Sequence, residues 1–424
     1  VCSIVTMNNI QCHTFDSGLQ LVTEKISGVS SAALNWTVRA GVATNKHDGD
    51  SVLLAELVQR GTHDFSAKEH NDAIELLGVK RQVACGIEYF RVSSVMLGDK
   101  VMSAIPLIGD YFMSAAIPEK DLAACKSLCM QSIHSLADNP ARQVAIALNS
   151  HHLPSPFNRS SYGDPKQIMS ASISRLQNIY QTFSPNTSVL VIAGNIDHDK
   201  IVDSVEQSTS NWVGTACEEG VEAKAERGVH WIEQDTSQAH IAIAFDAPNA
   251  NEDGELEEAI AISVFGGATS GRLFTHVRQR RSLCYSVSAQ YAPLKNRSTT
   301  KIHAGTTPHR AEETVRVCLD QLKKLRGGIS RDEFDRAVLK MKSRAVMRGE
   351  SAQSRASMLW GDHESTGKTK TLESRLSEIN SVTYESVNRW LEARSFTQGT
   401  LVTLGPNEIS IDDAMFNGEA TFHS

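Results

Sequence analysis

Between Ser263 and Tyr291 the chain reads SVFGGATSGRLFTHVRQRRSLCYSVSAQY, a run that holds side chains suited to catalysis. Arg278, Arg280 and Arg281 form a basic cluster, and Tyr285 follows Arg278 by seven residues. A guanidinium and a phenol hydroxyl are both hydrogen-bond donors, and together they suit an oxygen on which negative charge develops. By type alone, such a cluster is most often a solvated helix end, and a tyrosine opening a strand is most often half-buried packing. Gly266 and Gly267 divide the same way. Small residues near a helix let a substrate or partner backbone approach closely, or they only ease helix packing.

Metal chemistry would need donors at fixed spacing, and few are offered. Cys2, Cys12, Cys85, Cys125, Cys129, Cys217, Cys284 and Cys318 form no CxxC pair, which weakens structural-zinc and redox-dithiol readings. Cys125 and Cys129 are four apart, so on a helix they share a face and read as two small buried thiols. His47, His63 and His70 lack the i, i+4 spacing that aims two imidazoles at one ion. They are expected on the surface or in loops.

The elements that must position these groups come as a repeat. Ser170–Asn195 and 380–406 align without a gap when Ser172 is laid on Thr383, an offset of 211 residues. Each stretch predicts a hydroxyl-capped helix, a short polar turn and an apolar strand ending at Gly194 or Gly405. A second echo pairs SSAALNWTVRAG (30–41) with TSQAHIAIAFDA (236–247) at an offset of 206. Two copies of a unit of about 210 residues follow: an N-terminal domain over 1–215, a charged linker over 216–228 and a C-terminal domain over 229–424. Leu21–Val38 and Val83–Val95 have strand character. Ser66–Glu69 and Ser330–Glu333 are capping boxes, the second opening a helix with Phe334, Ala337, Val338 and Met341 on one face. Another helix is expected from Pro118 to about Ala137. Strands mixed with runs of helices predict an α+β fold: two homologous halves, each a mainly antiparallel sheet covered by helices.

With 424 residues, 41% hydrophobic and 21% charged, the chain has the composition of a globular protein. No stretch supplies the ~20 apolar residues a membrane-spanning helix needs. A net charge of −7 argues against a nucleic-acid or acidic-membrane surface. The first residues show no basic start followed by an apolar core, so the default compartment is the cytoplasm. The mitochondrial matrix or periplasm stays open if Val1 is a processed start.

Ser51–Thr62, SVLLAELVQRGT, predicts a buried helix stopped by Gly61. This segment, Phe65–Glu69, the Ser263–Tyr291 phrase and the duplication together resemble the pitrilysin/insulinase family of zinc peptidases, in its mitochondrial-processing-peptidase-like branch. There the first helix reads approximately H-x-x-E-H-x-x-x-K/R-G-T, the inverted zinc signature. Two histidines bind one ion, and the glutamate takes a proton from the zinc-bound water. Anchored on Arg60-Gly61-Thr62, the five positions here are Val52, Leu53, Leu54, Ala55 and Glu56. Val52 and Glu56 stand for the histidines and Ala55 for the glutamate. The distal ligand would fall near Gln131 or Ser132, in a stretch without a carboxylate. The resemblance thus implies a degenerate motif with no metal and no cofactor in this chain.

The second half keeps the family's other phrase, a glycine pair, then S-R-L, an arginine and G-L-x-Y-S-V. In that family the arginine and tyrosine lie over the zinc site and hydrogen-bond the substrate backbone and the oxyanion. The resemblance places those roles on Arg278 and Tyr285, and substrate approach on Gly266 and Gly267. Ser282 replaces the usual glycine before Leu283, and Gly271 stands where a serine is usual.

Many enzymes of that branch are two-chain assemblies in which one chain holds the zinc motif and the other the arginine–tyrosine pair. The resemblance therefore implies a non-catalytic, substrate-contacting subunit of a heterodimeric zinc metalloendopeptidase acting on peptides or unfolded segments. Zinc would reside in a homologous partner subunit. A structural homologue without proteolytic role, like the core subunits of the respiratory cytochrome bc complex, is the alternative. An autonomous zinc peptidase is a third reading, and it conflicts with the ligand count.

Overall fold

Runs of β-branched and apolar residues between turn formers become strands, and the capped amphipathic stretches become helices. The computed structural model describes residues 9–216, 223–267, 269–411 and 414–417, so residues 217–222 of the expected linker lie outside the described residues. The strands are β1 (Ile10–Thr14), β2 (Gln20–Lys25), β3 (Ser31–Val38), β4 (Lys80–Cys85), β5 (Phe90–Leu97), β6 (Ser188–Gly194), β7 (Gly228–Glu233), β8 (Ala239–Asp246), β9 (Cys284–Ala292), β10 (Thr299–Thr306) and β11 (Thr400–Gly405). The helices are α1 (Asp50–Leu57), α2 (Ala67–Leu76), α3 (Val101–Met113), α4 (Leu122–His134), α5 (Pro140–His152), α6 (Pro165–Ser170), α7 (Ile173–Tyr180), α8 (His198–Thr209), α9 (Glu255–Gly266), α10 (Ala311–Leu325), α11 (Arg331–Gly349), α12 (Ala352–Thr366), α13 (Leu372–Ser381) and α14 (Tyr384–Ala393). Among the described residues no helix is long and apolar enough to cross a membrane.

The elements form two compact units, each built on one sheet, and the fold is the expected α+β one. The first sheet has the order β1-β2-β6-β3-β5-β4, and the second β7-β11-β8-β10-β9. From β2 onward the two orders correspond strand for strand. In each sheet one pair is parallel, β2 with β6 and β7 with β11, and the other pairs are antiparallel. This is the sequence repeat in space: β6 and β11 carry one echo, β3 and β8 the other. Ser172 caps α7 through the Arg175 amide, and Thr383 caps α14 through the Ser386 amide. The two strand-like runs of the first half each divide. Gly28, at φ 83°, turns the chain between β2 and β3, and the turn 86–89 separates β4 from β5.

The units are not contiguous in sequence. The first comprises 1–135, 155–223 and 347–371, and the second 136–154, 224–346 and 372–424. Helix α12, from the second half of the sequence, covers the first sheet. There Ala352, Ala356 and Leu359 pack with Val22, Ala33, Val191 and Ala193. Helix α5, from the first half, covers the second sheet, where Val144 and Leu148 pack with Ala242, Ala244, Val402 and Leu404. The opposite sheet faces hold the main cores, around Trp36, Phe90 and Phe112 in one unit and Phe245, Phe265 and Leu401 in the other.

Polar anchors fix both exchanged helices. Arg355 of α12 is 2% exposed and grips Glu24 of β2 with two hydrogen bonds, of 2.7 and 2.8 Å. The Trp360 indole donates to Thr37 Oγ1 at 3.0 Å. On α5, His152 Nδ1 lies 3.0 Å from Thr400 Oγ1, and Lys301 donates to Asn149 Oδ1 at 2.6 Å. Removing one partner of a buried pair leaves an uncompensated charge. Arg355→Ala is therefore expected to lower unfolding stability by about 3–5 kcal/mol, read from guanidinium denaturation. Arg355→Met combined with Glu24→Leu should recover most of that loss.

Candidate functional site

Helix α1 starts from Gly49, which sits at φ 108°. Asp50, 1% exposed, is held by Arg175 Nη2 at 2.7 Å, and the Ser51 hydroxyl donates to the Gly41 carbonyl at 2.9 Å. Leu53, Leu54 and Leu57 are fully buried, and Ala55 joins the same core. Val52 packs against that core from its margin, and Glu56 is partly exposed. A helix apolar around its whole circumference is a buried structural helix. The face α4 buries presents Cys125 and Cys129, one turn apart. Gln131 and Ser132, near the expected distal position, are exposed. Burial, reinforced by the Glu56 carboxylate, pushes the Cys129 thiol up to about 12, and burial raises Cys125 against a hydrogen bond from Arg60. Two cysteines alone fall short of the ligand set that zinc takes from protein. Among the described residues no three His, Cys, Asp or Glu side chains are grouped to hold a metal ion. The donor set of α1 and α4 does not fit zinc.

His70 differs from expectation. It lies on α2, 3% exposed, with Nε2 3.0 Å from the Leu107 carbonyl and 3.3 Å from Asp110 Oδ2. Its capped helix folds it inward, a placement that spacing alone does not give. His47 lies in a loop and His63 is exposed, as expected.

In the second unit Tyr285 occupies an irregularity of β9. Cys284 pairs with Thr306 and Ser286 with Gly305, so Tyr285 is the extra residue of a β-bulge. Bulges re-aim side chains and collect beside active sites. The phenol lies across Gly305 of β10, where any Cβ would collide with the ring. Its hydroxyl donates to Gln238 Oε1 at 2.5 Å and stands 3.5 Å from His240 Nε2. Burial raises the Tyr285 hydroxyl and lowers the His240 imidazole, so both groups are neutral near pH 7. Tyr285 still exposes 43% of its surface.

Known proteins match this architecture. Residues 170–341 match the peptidase M16 inactive domain. The uncharacterized zinc protease YmxG of Bacillus subtilis is 26% identical over 411 residues, 93% of this chain and 98% of that protein. A zinc protease of Rickettsia bellii is 22% identical over 407 residues, 95% of this chain and 99% of that protein. The solved peptidase M16 inactive domain from Pseudomonas fluorescens aligns with a TM-score of 0.85 at 18% identity, covering 95% of this chain and 99% of that one. A protease from Helicobacter pylori gives 0.86 at 15% identity, covering 94% and 99%. The chain has the M16 fold.

The Ser263–Tyr291 phrase divides residue by residue into packing, anchoring and exposed positions. Gly266 is buried, and its Cα packs on Ala289 of β9, a close approach of helix to strand. Gly267 is partly exposed, ends α9, and accepts a hydrogen bond from Lys340 Nζ at its carbonyl. Arg272 holds the phrase to the start of α11. It donates to Glu333 at 2.8 and 2.7 Å and to the Gly328 carbonyl at 2.9 Å, and Glu333 also completes the Ser330 capping box. Arg278 lies in a π-helical turn, Phe274–Gln279. It is exposed, with its guanidinium 5.0 Å from the Phe274 ring centre. Its charge reaches the Cys284 thiol, whose raised value is set mainly by burial. Arg278 thus acts on the residue beside Tyr285, whereas the direct partners of Tyr285 are Gln238 and His240. Sequence reading placed both of these only on a strand. A glycine inside β10 was the available signal, since glycine in a strand often marks a bulge or a close approach.

Ser282 adopts φ 52°, the left-handed conformation that glycine occupies without strain. Arg310 closes the turn by donating to the Ser282 carbonyl. Ser282→Gly is expected to raise stability by about 0.5–1 kcal/mol, relief of left-handed strain less the freedom gained by the unfolded chain. A shift of the denaturation midpoint to higher guanidinium at unchanged slope is the check.

Proposed function

We propose that this M16-type chain is the non-catalytic, substrate-contacting subunit of a heterodimeric zinc metalloendopeptidase. The observation that carries the reading is an asymmetry between its units. One unit has a buried helix where the family binds metal, with Val52, Ala55 and Glu56 at the ligand and base positions. The other mounts an exposed tyrosine on a bulge, with an exposed arginine in the preceding turn. A zinc-bearing homologous subunit would supply the metal and the general base. This chain would supply donors: Tyr285 and Arg278 would hydrogen-bond the scissile carbonyl oxygen as charge develops on it. Strand β9 ends its sheet, with Ser286, Ser288 and Gln290 exposed along it. An extended peptide can pair with such an edge through its main chain.

The purified chain is expected to bind no stoichiometric zinc by metal analysis and to cleave no peptide. Affinity purification from its native cell should recover a chain of similar size carrying H-x-x-E-H. In the assembled pair, Arg278→Ala and Tyr285→Phe should each lower kcat about 10–1,000-fold, the range seen when a single oxyanion donor is lost, with assembly intact. Unchanged turnover in both variants would favour the scaffold reading.

A further inference from the structure

The contacts of Tyr285 assign work to residues outside the Ser263–Tyr291 phrase. A tyrosine exposing 43% of its surface would ordinarily sample several rotamers. Three features restrain this one. The bulge gives it a backbone direction shared with no cross-strand partner. Gly305 lets the ring lie flat over β10, which separates β9 from β8 in the sheet. Beyond that glycine the hydroxyl meets Gln238, in the bend just before β8, and His240 of β8. The phenol thus spans three strands.

We propose that Gln238 and His240 are positioning residues for Tyr285, drawing its hydroxyl across Gly305 and fixing the direction in which it donates. The proposal rests on the subunit reading for its use in catalysis, and on the geometry alone for the contact. A hydroxyl has one proton and two lone pairs. With the site empty, Gln238 Oε1 takes that proton. When a substrate oxygen arrives, the proton turns to it, the Gln238 amide rotates to donate an N–H to the phenol oxygen in exchange, and no bond other than hydrogen bonds changes. The neutral His240 imidazole, in its Nε2–H form, then donates into a lone pair of the same oxygen. Hydrogen bonds in a chain polarise one another, so this contact strengthens the outgoing donor. Holding the hydroxyl in place before substrate binds also removes reorganisation from the reacting step.

The contact can be tested on the chain alone. With 3-fluorotyrosine at position 285, fluorine NMR follows ionisation of that phenol. Gln238→Glu places a carboxylate at the hydroxyl and should raise its titration by about one unit or more, as like charges do at contact distance. The same substitution with Gly305→Ala, which pushes the ring away, should leave it unmoved. An unchanged titration in Gln238→Glu would overturn the proposal. In the assembled peptidase, Gln238→Ala and His240→Ala should each lower kcat about 3–10-fold with KM unchanged, the worth of one neutral hydrogen bond. A raised titration with unaltered kcat would overturn the positioning role. A raised titration without turnover alongside any zinc-bearing partner would support the contact and overturn the subunit reading.

Discussion

A sheet with apolar side chains on both faces must be covered on both, and this constraint organises the molecule. β3 shows it in one strand: Leu34 and Trp36 enter the main core, while Ala33 points to the opposite face. In each unit the helices of its own half cover one face. The other face is closed by a helix from elsewhere in the chain, α12 for the first sheet and α5 for the second. Small residues under these helices, Ala33 and Ala193 in one unit and Ala242 and Ala244 in the other, let the helix backbones come close. The Arg355–Glu24 pair then fixes α12 in register, because a buried charge tolerates no other position.

Within that common frame the two units have different chemistry. In the first, helix α1 has only packing to do. Its positions face a core of leucines and two buried cysteines, surroundings that favour neutral groups over ions. In the second, one phrase combines a π-helical turn, a serine in the left-handed region and a bulge. Such irregularity clusters at functional sites because it aims side chains that regular pleating cannot. The regular elements around it, α9 packed on β9 and Arg272 clamped to Glu333, hold it in place.

The repeat, the helix caps and the fold class were legible in the sequence, since they depend on local periodicity and on hydroxyl residues such as Ser172 and Thr383. The exchange of α5 and α12 was not. An amphipathic pattern says that a face is apolar without saying which surface it meets. His70 was misplaced for the same reason, as its burial follows from how α2 docks. The helix within Ser51–Thr62 was read correctly as buried, because every residue from Val52 to Ala55 is apolar. The direct partners of Tyr285 were missed. A bulge is a backbone slip that leaves the hydrophobic pattern intact, and two polar residues flanking the start of β8 look like any strand end.

The reciprocal exchange bears on how the protein is made. As the chain emerges in order of synthesis, β6 completes the first sheet well before α12 exists, so one apolar face stays bare until α12 has been made. Helix α5 emerges early, long before β8 and β11, the strands it will cover. Apolar surface left waiting in this way invites association with chaperones or with other chains. Neither unit can be produced from an uninterrupted segment of the gene.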